Sequence, residues 1–210
     1  MAQDMQSTPR PTPAAAGGLA SIADPGPLGL AGFAATTFFL SVVNARLLPA
    51  TVEAGVLGLA FFYGGIAQVL AGMWEFAKGN TFGAVAFTSY GAFWLSFWYL
   101  ITKGVPAFIA AKATATDINH AVGTFLLVWT IFTIYMTIAA LRTSIAVLSV
   151  FVVLSATFLF LTIGNFGGSE GIIKVGGWLG LATAALAWYA SLAGVANSTF
   201  KRPVFPVLPR

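Results

Sequence analysis

Six long apolar stretches alternate with polar breaks along the chain, at residues 28–45, 54–73, 82–101, 121–141, 144–163 and 172–193. Each is near the ~20 residues a helix needs to cross a hydrocarbon core. The breaks are made by charges and turn formers: Arg46, Pro49 and Glu53; Glu75, Lys78 and Gly79; the interval from Lys103 to His120; Arg142; and Asn165 to Glu170. All but the third are short, which leaves no room outside a membrane for a soluble catalytic or sensory domain. The pattern predicts an all-α membrane protein, with six transmembrane helices forming a single bundle over residues 21–198. A flexible cytoplasmic tail (1–20) and a basic, solvated C-terminal tail (199–210) are expected to flank it.

Composition supports the same solvent. Of 210 residues, 58% are hydrophobic and 8% charged, against about 25% charged in soluble domains. With no cysteine and the lone His120, disulfides, thiolate metal sites and Cys nucleophiles are excluded, and no cofactor or metal is expected. The formal charge of +4 is spread over tails and short loops, unlike the clustered basic face of a nucleic-acid binder. Residues 1–20 lack the apolar core of a signal peptide. With six spans both termini share a side, carrying Arg10, Lys78, Arg142, Lys201, Arg202 and Arg210 against Arg46, Lys103, Lys112 and Lys174 opposite. The positive-inside rule then predicts cytoplasmic termini in the cell membrane.

Small and polar residues carry the information within the spans. Gly58, Gly65 and Gly72 recur every seven residues with Gln68 on the same face, so another helix can approach closely, and Gln68 serves either as interhelical glue or as a group facing an aqueous path. Gly176 and Gly180 form a GxxxG pattern that signals close packing, within or between subunits. No ionisable residue lies mid-span, where pumps and ion-coupled transporters usually carry one. An intramembrane enzyme would need an acid pair, a Ser with a His or Lys, or a metal cluster within the spans, and these are absent. A path through the bundle would instead be lined by Thr36, Thr37, Gln68, Thr88, Ser89, Tyr90, Ser155 and Thr157. Such a lining suits a small solute that passes largely desolvated or as its neutral acid.

Ahead of the first span stands Asp24-Pro25-Gly26-Pro27-Leu28-Gly29-Leu30. The prolines exclude helix up to Pro27, so the helix is expected to begin at Pro27 or Leu28 with its free N–H groups at a positive dipole end. An anion would be drawn there, yet Asp24 can satisfy the same donors. A capped helix start and a functional mouth both fit.

This first motif, the block from Phe61 to Trp98 and Thr162-Ile163-Gly164-Asn165-Phe166-Gly167-Gly168 together resemble the acetate uptake transporter family, of the succinate–acetate permease type. In that family the first motif reads Asn-Pro-Ala-Pro-Leu-Gly-Leu, so Asp24 and Gly26 are departures. The resemblance implies a six-helix protomer with its own central path, assembled as a homohexamer, that carries acetate and in some members succinate. It also implies an aromatic and aliphatic constriction from Phe33, Tyr90 and Leu154, which would exclude water and hydrated ions while Tyr90 offers one hydroxyl to a passing carboxyl group. Gln68, Thr88 and Ser89 would donate to carboxylate oxygens along the path, beside Asp24 and Thr36. Glu75 would pair with Lys78 at an exposed interface or serve as a proton site, and Asn165 would cap the fifth helix or bind solute. Two rival functions share these residues: a membrane sensor that binds acetate without moving it, and a channel for small neutral solutes. The latter would be expected to carry two Asn-Pro-Ala elements deep in the bundle, whereas only one Pro-x-Pro is present, at an end.

Overall fold

The computed structural model describes residues 22–208, so the expected tail over 1–20 lies outside the described residues. Six helices are long and apolar enough to cross a membrane: α1 Gly26–Asn44, α2 Leu59–Lys78, α3 Thr81–Ala110, α4 Ala115–Ala140, α5 Ile145–Phe166 and α6 Glu170–Phe200. A short 3₁₀ helix, Ala50–Val56, joins α1 to α2. Local chemistry sets most of the ends. Asn80, Ser144 and Ser169 accept from the N–H three residues on, and Thr114 with Asp117 forms a reciprocal capping box. Gly79, at φ +80°, closes α2 in the left-handed conformation that glycine adopts without cost.

Several helix boundaries depart from the sequence pattern: α2 is displaced to Leu59–Lys78, taking Glu75 and Lys78 out of the expected break, α6 runs on to Phe200, and two further shifts have identifiable causes. The long break expected from Lys103 to His120 shrinks to a turn before Thr114, because α3 runs on to Ala110. Wide turns over Leu100–Gly104 absorb Pro106, whose missing N–H would otherwise interrupt the ladder, and one exposed lysine does not end a helix. At the other end, α1 starts earlier than Pro27. Pro25 already has helical backbone angles, and the Gly26 N–H donates to Asp24 Oδ1 at 3.0 Å. Proline is tolerated in a first turn, where its absent donor is unneeded.

The helices close into a ring in which α1 packs on α6 and α2, α2 on α3, and α4 and α6 on α5, with α3 reaching α4. Backbone proximity is greatest at glycines. A methyl at Gly177 would overlap the backbone of Asn44 and Ala45, and one at Gly72 would overlap Thr88. Gly176 and Gly180 face Leu161 and Ser41 of the same chain, so the GxxxG pattern is spent within the protomer, and a role between subunits is not what it serves. Exposed apolar residues such as Phe62, Ile138 and Trp178 form the outer surface. This is a multi-pass membrane protein.

The C-terminal segment does not extend freely into solvent. Asn197 Oδ1 accepts from the N–H groups of Val204 (2.7 Å) and Phe205 (2.9 Å), and Tyr189 donates to the Pro206 carbonyl at 2.7 Å. The carbonyls of Leu208 and Val207 then accept from Ile145 N–H (3.0 Å) and Ala146 N–H (3.3 Å). These are first-turn donors of α5 that have no partner within their own helix, so the tail is held down by what the helix end lacks.

Gly177→Ala is expected to destabilise the bundle by about 1–3 kcal/mol, since backbone must move to admit the methyl. Gly58→Ala meets no atom within 4 Å and is expected to change stability by less than about 1 kcal/mol, on the stabilising side. Thermal melts of both variants in detergent, followed by tryptophan fluorescence, check the contrast.

Candidate permeation path

Two cavities among the described residues are walled chiefly by the odd-numbered helices, with α4 and α6 adding to the first and α2 and α6 to the second. The odd-numbered helices run in one direction, so a residue's place along each reports its depth. Cavity I, of about 300 Å³, is lined by Phe33, Thr37 and Arg46 from α1 and its C-terminal turn, Trp94 and Phe97 from α3, and Leu154, Phe158 and Asn165 from α5. Cavity II, of about 270 Å³, lies toward the N-terminal ends of the same helices, lined by Leu30, Phe87 and Phe151 together with Asp24, Glu75, Lys78 and Asn80.

On α1 and α5 the two linings meet at successive turns, and on α3 Tyr90 stands between Phe87 of cavity II and Phe93 of cavity I. Leu30, Phe87 and Phe151 are each three residues before Phe33, Tyr90 and Leu154, so these last three fall at one level. All three are buried, at 4%, 3% and 3% exposure. The rings of Phe33 and Tyr90 lie 5.5 Å apart, and Tyr90 packs on Phe151 of the level below at 6.0 Å. The Tyr90 hydroxyl is bonded to Thr133 Oγ1 of α4 at 2.9 Å. That bond uses one of the pair's two protons and leaves the other for a further acceptor.

The ionisable groups gather at the two ends. In cavity II, Lys78 Nζ donates to Asp24 Oδ1 at 2.8 Å. Glu75 is 1% exposed and accepts from Asn80 Nδ2 at 2.8 Å. The expected exposed pair of Glu75 with Lys78 is therefore not formed: Asp24 takes the ammonium, and Glu75 turns inward between Gly26 and Gly83, where a methyl on Gly83 would crowd it. At the mouth of cavity I, Arg46 approaches Glu170 at 3.4 Å. Glu53, on the 3₁₀ helix, also lines this cavity. Burial pushes its carboxyl above the usual range, and the Arg46 guanidinium pulls it partly back.

A model of the GPR1/FUN34/yaaH family matches residues 6–209. The chain belongs to that family. It is similar to Ammonia transport outward protein 2 of Saccharomyces cerevisiae, at 44% identity over 83% of this chain and 62% of that protein, so it spans less than two thirds of the yeast relative's length. It is also similar to the succinate-acetate/proton symporter SatP of Escherichia coli K12, at 39% identity over 90% of this chain and 97% of the relative. The solved structure of the bacterial acetate channel SatP superposes with a TM-score of 0.81 at 38% identity, covering 89% of this chain and 99% of that one.

Within this family fold, the other residues singled out in the sequence fall in different places. Asn165 lines cavity I and donates from Nδ2 to its own helix at Leu161 O, 2.8 Å away. Thr36, Gln68, Thr88 and Ser89 line neither cavity. Thr36 donates back to Gly32 O at 2.9 Å and faces Gly64 of α2, and Thr88 faces Gly72. Gln68 is buried with its Oε1 unpartnered among the described residues, as are Thr88 Oγ1, Thr37 Oγ1 and Trp94 Nε1. Thr37 and Trp94 belong to the wall of cavity I. Arg46, Glu53 and Trp94 were not expected as site residues. The sequence does mark the first two as a charge pair beside a proline at a span break, which is where a mouth would stand.

Asp24→Asn keeps an oxygen for the Gly26 N–H and loses an exposed ion pair, so a stability change under about 1 kcal/mol is expected. Asp24→Ala removes the acceptor as well and is expected to cost about 1 kcal/mol more. Melting temperatures of the two variants in the same detergent separate capping from charge.

Proposed function

We propose that this protein carries acetate, and other small carboxylates such as succinate, across the cell membrane through each protomer. The observation that carries the reading is the pair of cavities whose linings meet at the buried Phe33, Tyr90 and Leu154. Three bulky side chains exclude hydrated ions by size and by the cost of stripping water, while a short carboxylate or its neutral acid passes a layer of this thickness. The named substrates of the two SatP relatives support the choice of solute. Transport excess also separates this function from that of a sensor: labelled acetate should enter proteoliposomes holding the protein faster than empty vesicles. Equal rates would sink the transport reading.

Cytoplasmic termini are supported by the six-to-four excess of cationic residues on that side of the sequence. A homohexamer is supported by the family resemblance and by the aromatic outer surface. Of the polar groups expected along the path, Asn165 borders cavity I and is the one we retain as a solute contact.

The proton-coupled form of transport is favoured by Glu75. Its carboxyl borders cavity II, has one amide donor, and has no cation within ion-pairing distance among the described residues. As a buried carboxyl at the cavity wall with a single hydrogen-bond donor, Glu75 is the group we assign to carry a proton while a carboxylate passes.

Replacing Tyr90 and Leu154 together with alanine is expected to join the two cavities and admit bulkier acids, read as uptake of labelled branched carboxylates that the wild type excludes. Glu75→Gln is expected to keep acetate flux down its own gradient but to abolish accumulation driven by an imposed pH gradient. Accumulation equal to the wild type would remove Glu75 as the proton site, and absence of such accumulation in the wild type itself would favour the channel class.

A further inference from the structure

Arg46 and Glu53 are the ionisable side chains among those lining cavity I, and neither belongs to the constriction or to the proton site. Arg46 follows the last turn of α1 in the left-handed conformation, φ +60°, fixed by its N–H to Val43 O at 2.9 Å. Its guanidinium carries five N–H donors. Among the described residues their one acidic partner is Glu170, at 3.4 Å, on a side chain that is itself 81% exposed. An exposed pair of that length is held by little energy and exchanges readily for another carboxylate. The guanidinium is therefore available, at the rim of a cavity whose other walls are mainly apolar.

Glu53 stands beside it on the 3₁₀ helix and is partly buried. Its charged environment is set by Arg46, with burial acting in the opposite sense. Arg46 thus has two resident carboxylates near it, one exposed on α6 and one sheltered at the cavity. A third, arriving from solvent, must compete with both.

We infer that Arg46 is the carboxylate-capturing residue of cavity I, and that Glu53 is its acid-sensitive rival. The ligand class is a short aliphatic carboxylate: the fork of the guanidinium takes the two oxygens, and the apolar wall beyond takes the alkyl end. The inference rests on the transport reading and extends it by naming the group that sets affinity on this side. The direction of the pH effect follows from charge. When Glu53 is protonated on acidification, a negative charge near the guanidinium is lost and capture strengthens. Lys103, Lys112 and Lys174 lie on this side of the membrane but do not line the cavity, and Glu170 remains the competitor on α6.

The test is initial uptake of labelled acetate into proteoliposomes as a function of concentration. Arg46→Gln is expected to raise the apparent KM about tenfold, the loss of one charge-assisted pair, with the maximal rate changed less than about twofold. Arg46→Lys, which keeps charge but loses the fork, should fall between. Glu53→Gln is expected to lower the KM near about pH 7 and to flatten its dependence on pH down to about 5. A wild-type KM in Arg46→Gln overturns the capture role, and a wild-type pH profile in Glu53→Gln overturns the rivalry. If Arg46→Gln fails to fold, Arg46→Lys decides, and an unchanged KM there is fatal. Absence of uptake by the wild-type protein counts against the transport reading instead. Saturation-transfer NMR of the acetate methyl on detergent-solubilised protein then judges the site alone: a signal weakened in Arg46→Gln sustains it, and equal signals overturn it.

Discussion

A polar group in hydrocarbon must find its partner within the chain, and nearly every feature of this protein follows from that need. The backbone meets it by forming helices. The hydroxyls meet it by folding back on those helices: Thr36, Thr130, Thr137, Thr157 and Thr183 each donate to the carbonyl four residues earlier. Helix ends meet it with Asn80, Thr114, Ser144 and Ser169, and α5 draws in two carbonyls from the C-terminal segment as well. What is left unpaired or loosely paired is small in number, and much of it borders the two cavities. A solute with a carboxyl group is one answer to that remainder.

The parallel run of α1, α3 and α5 turns this remainder into a sequence of stages. Cavity II and cavity I succeed one another along the same three helices, meeting at Phe33, Tyr90 and Leu154, and on the proposed function selection by charge and selection by size would be separated in depth. The even-numbered helices contribute fewer lining residues, among them Glu75 and Lys78 of α2 and Phe125 of α4, and also hold the frame. Their glycines bring backbone against backbone, as Gly72 does at Thr88 and Gly177 at Ala45. Close contact of this kind resists the sideways movement that would let the central side chains part, because dense packing leaves no soft direction.

Six helices, their approximate limits and the single bundle were legible in the hydropathy pattern, because a span must be long and apolar whatever its neighbours do. Burial of Phe33, Tyr90 and Leu154 is what hydropathy expects of ordinary core residues, and only motif resemblance singles them out as a constriction. The hydroxyl lining was the least legible part. Thr36 and Thr37 are adjacent in sequence and alike in chemistry, yet one is spent on Gly32 O and faces α2 while the other borders cavity I. Which face a residue shows depends on helix rotation, and rotation is set by tertiary contact at glycines. Nor could the pattern reveal that Asp24, 54 positions away, would take Lys78 from Glu75.

That exchange makes the two ends of the interior unlike. At cavity II the one lining cation is already bound to Asp24, at 2.8 Å, beside a buried acid. At cavity I the lining cation has only a long contact to an exposed glutamate. A carboxylate thus meets an available guanidinium on one side and a neutralised ammonium on the other. Such asymmetry sets how readily each side fills at low concentration. It cannot set the ratio of solute across the membrane at rest, since fixed charges bias forward and backward passage alike and a site shifts an equilibrium only through a difference between states. A standing gradient requires a second species that moves with the solute, and the proposed carrier of one in this interior is the buried carboxyl of Glu75.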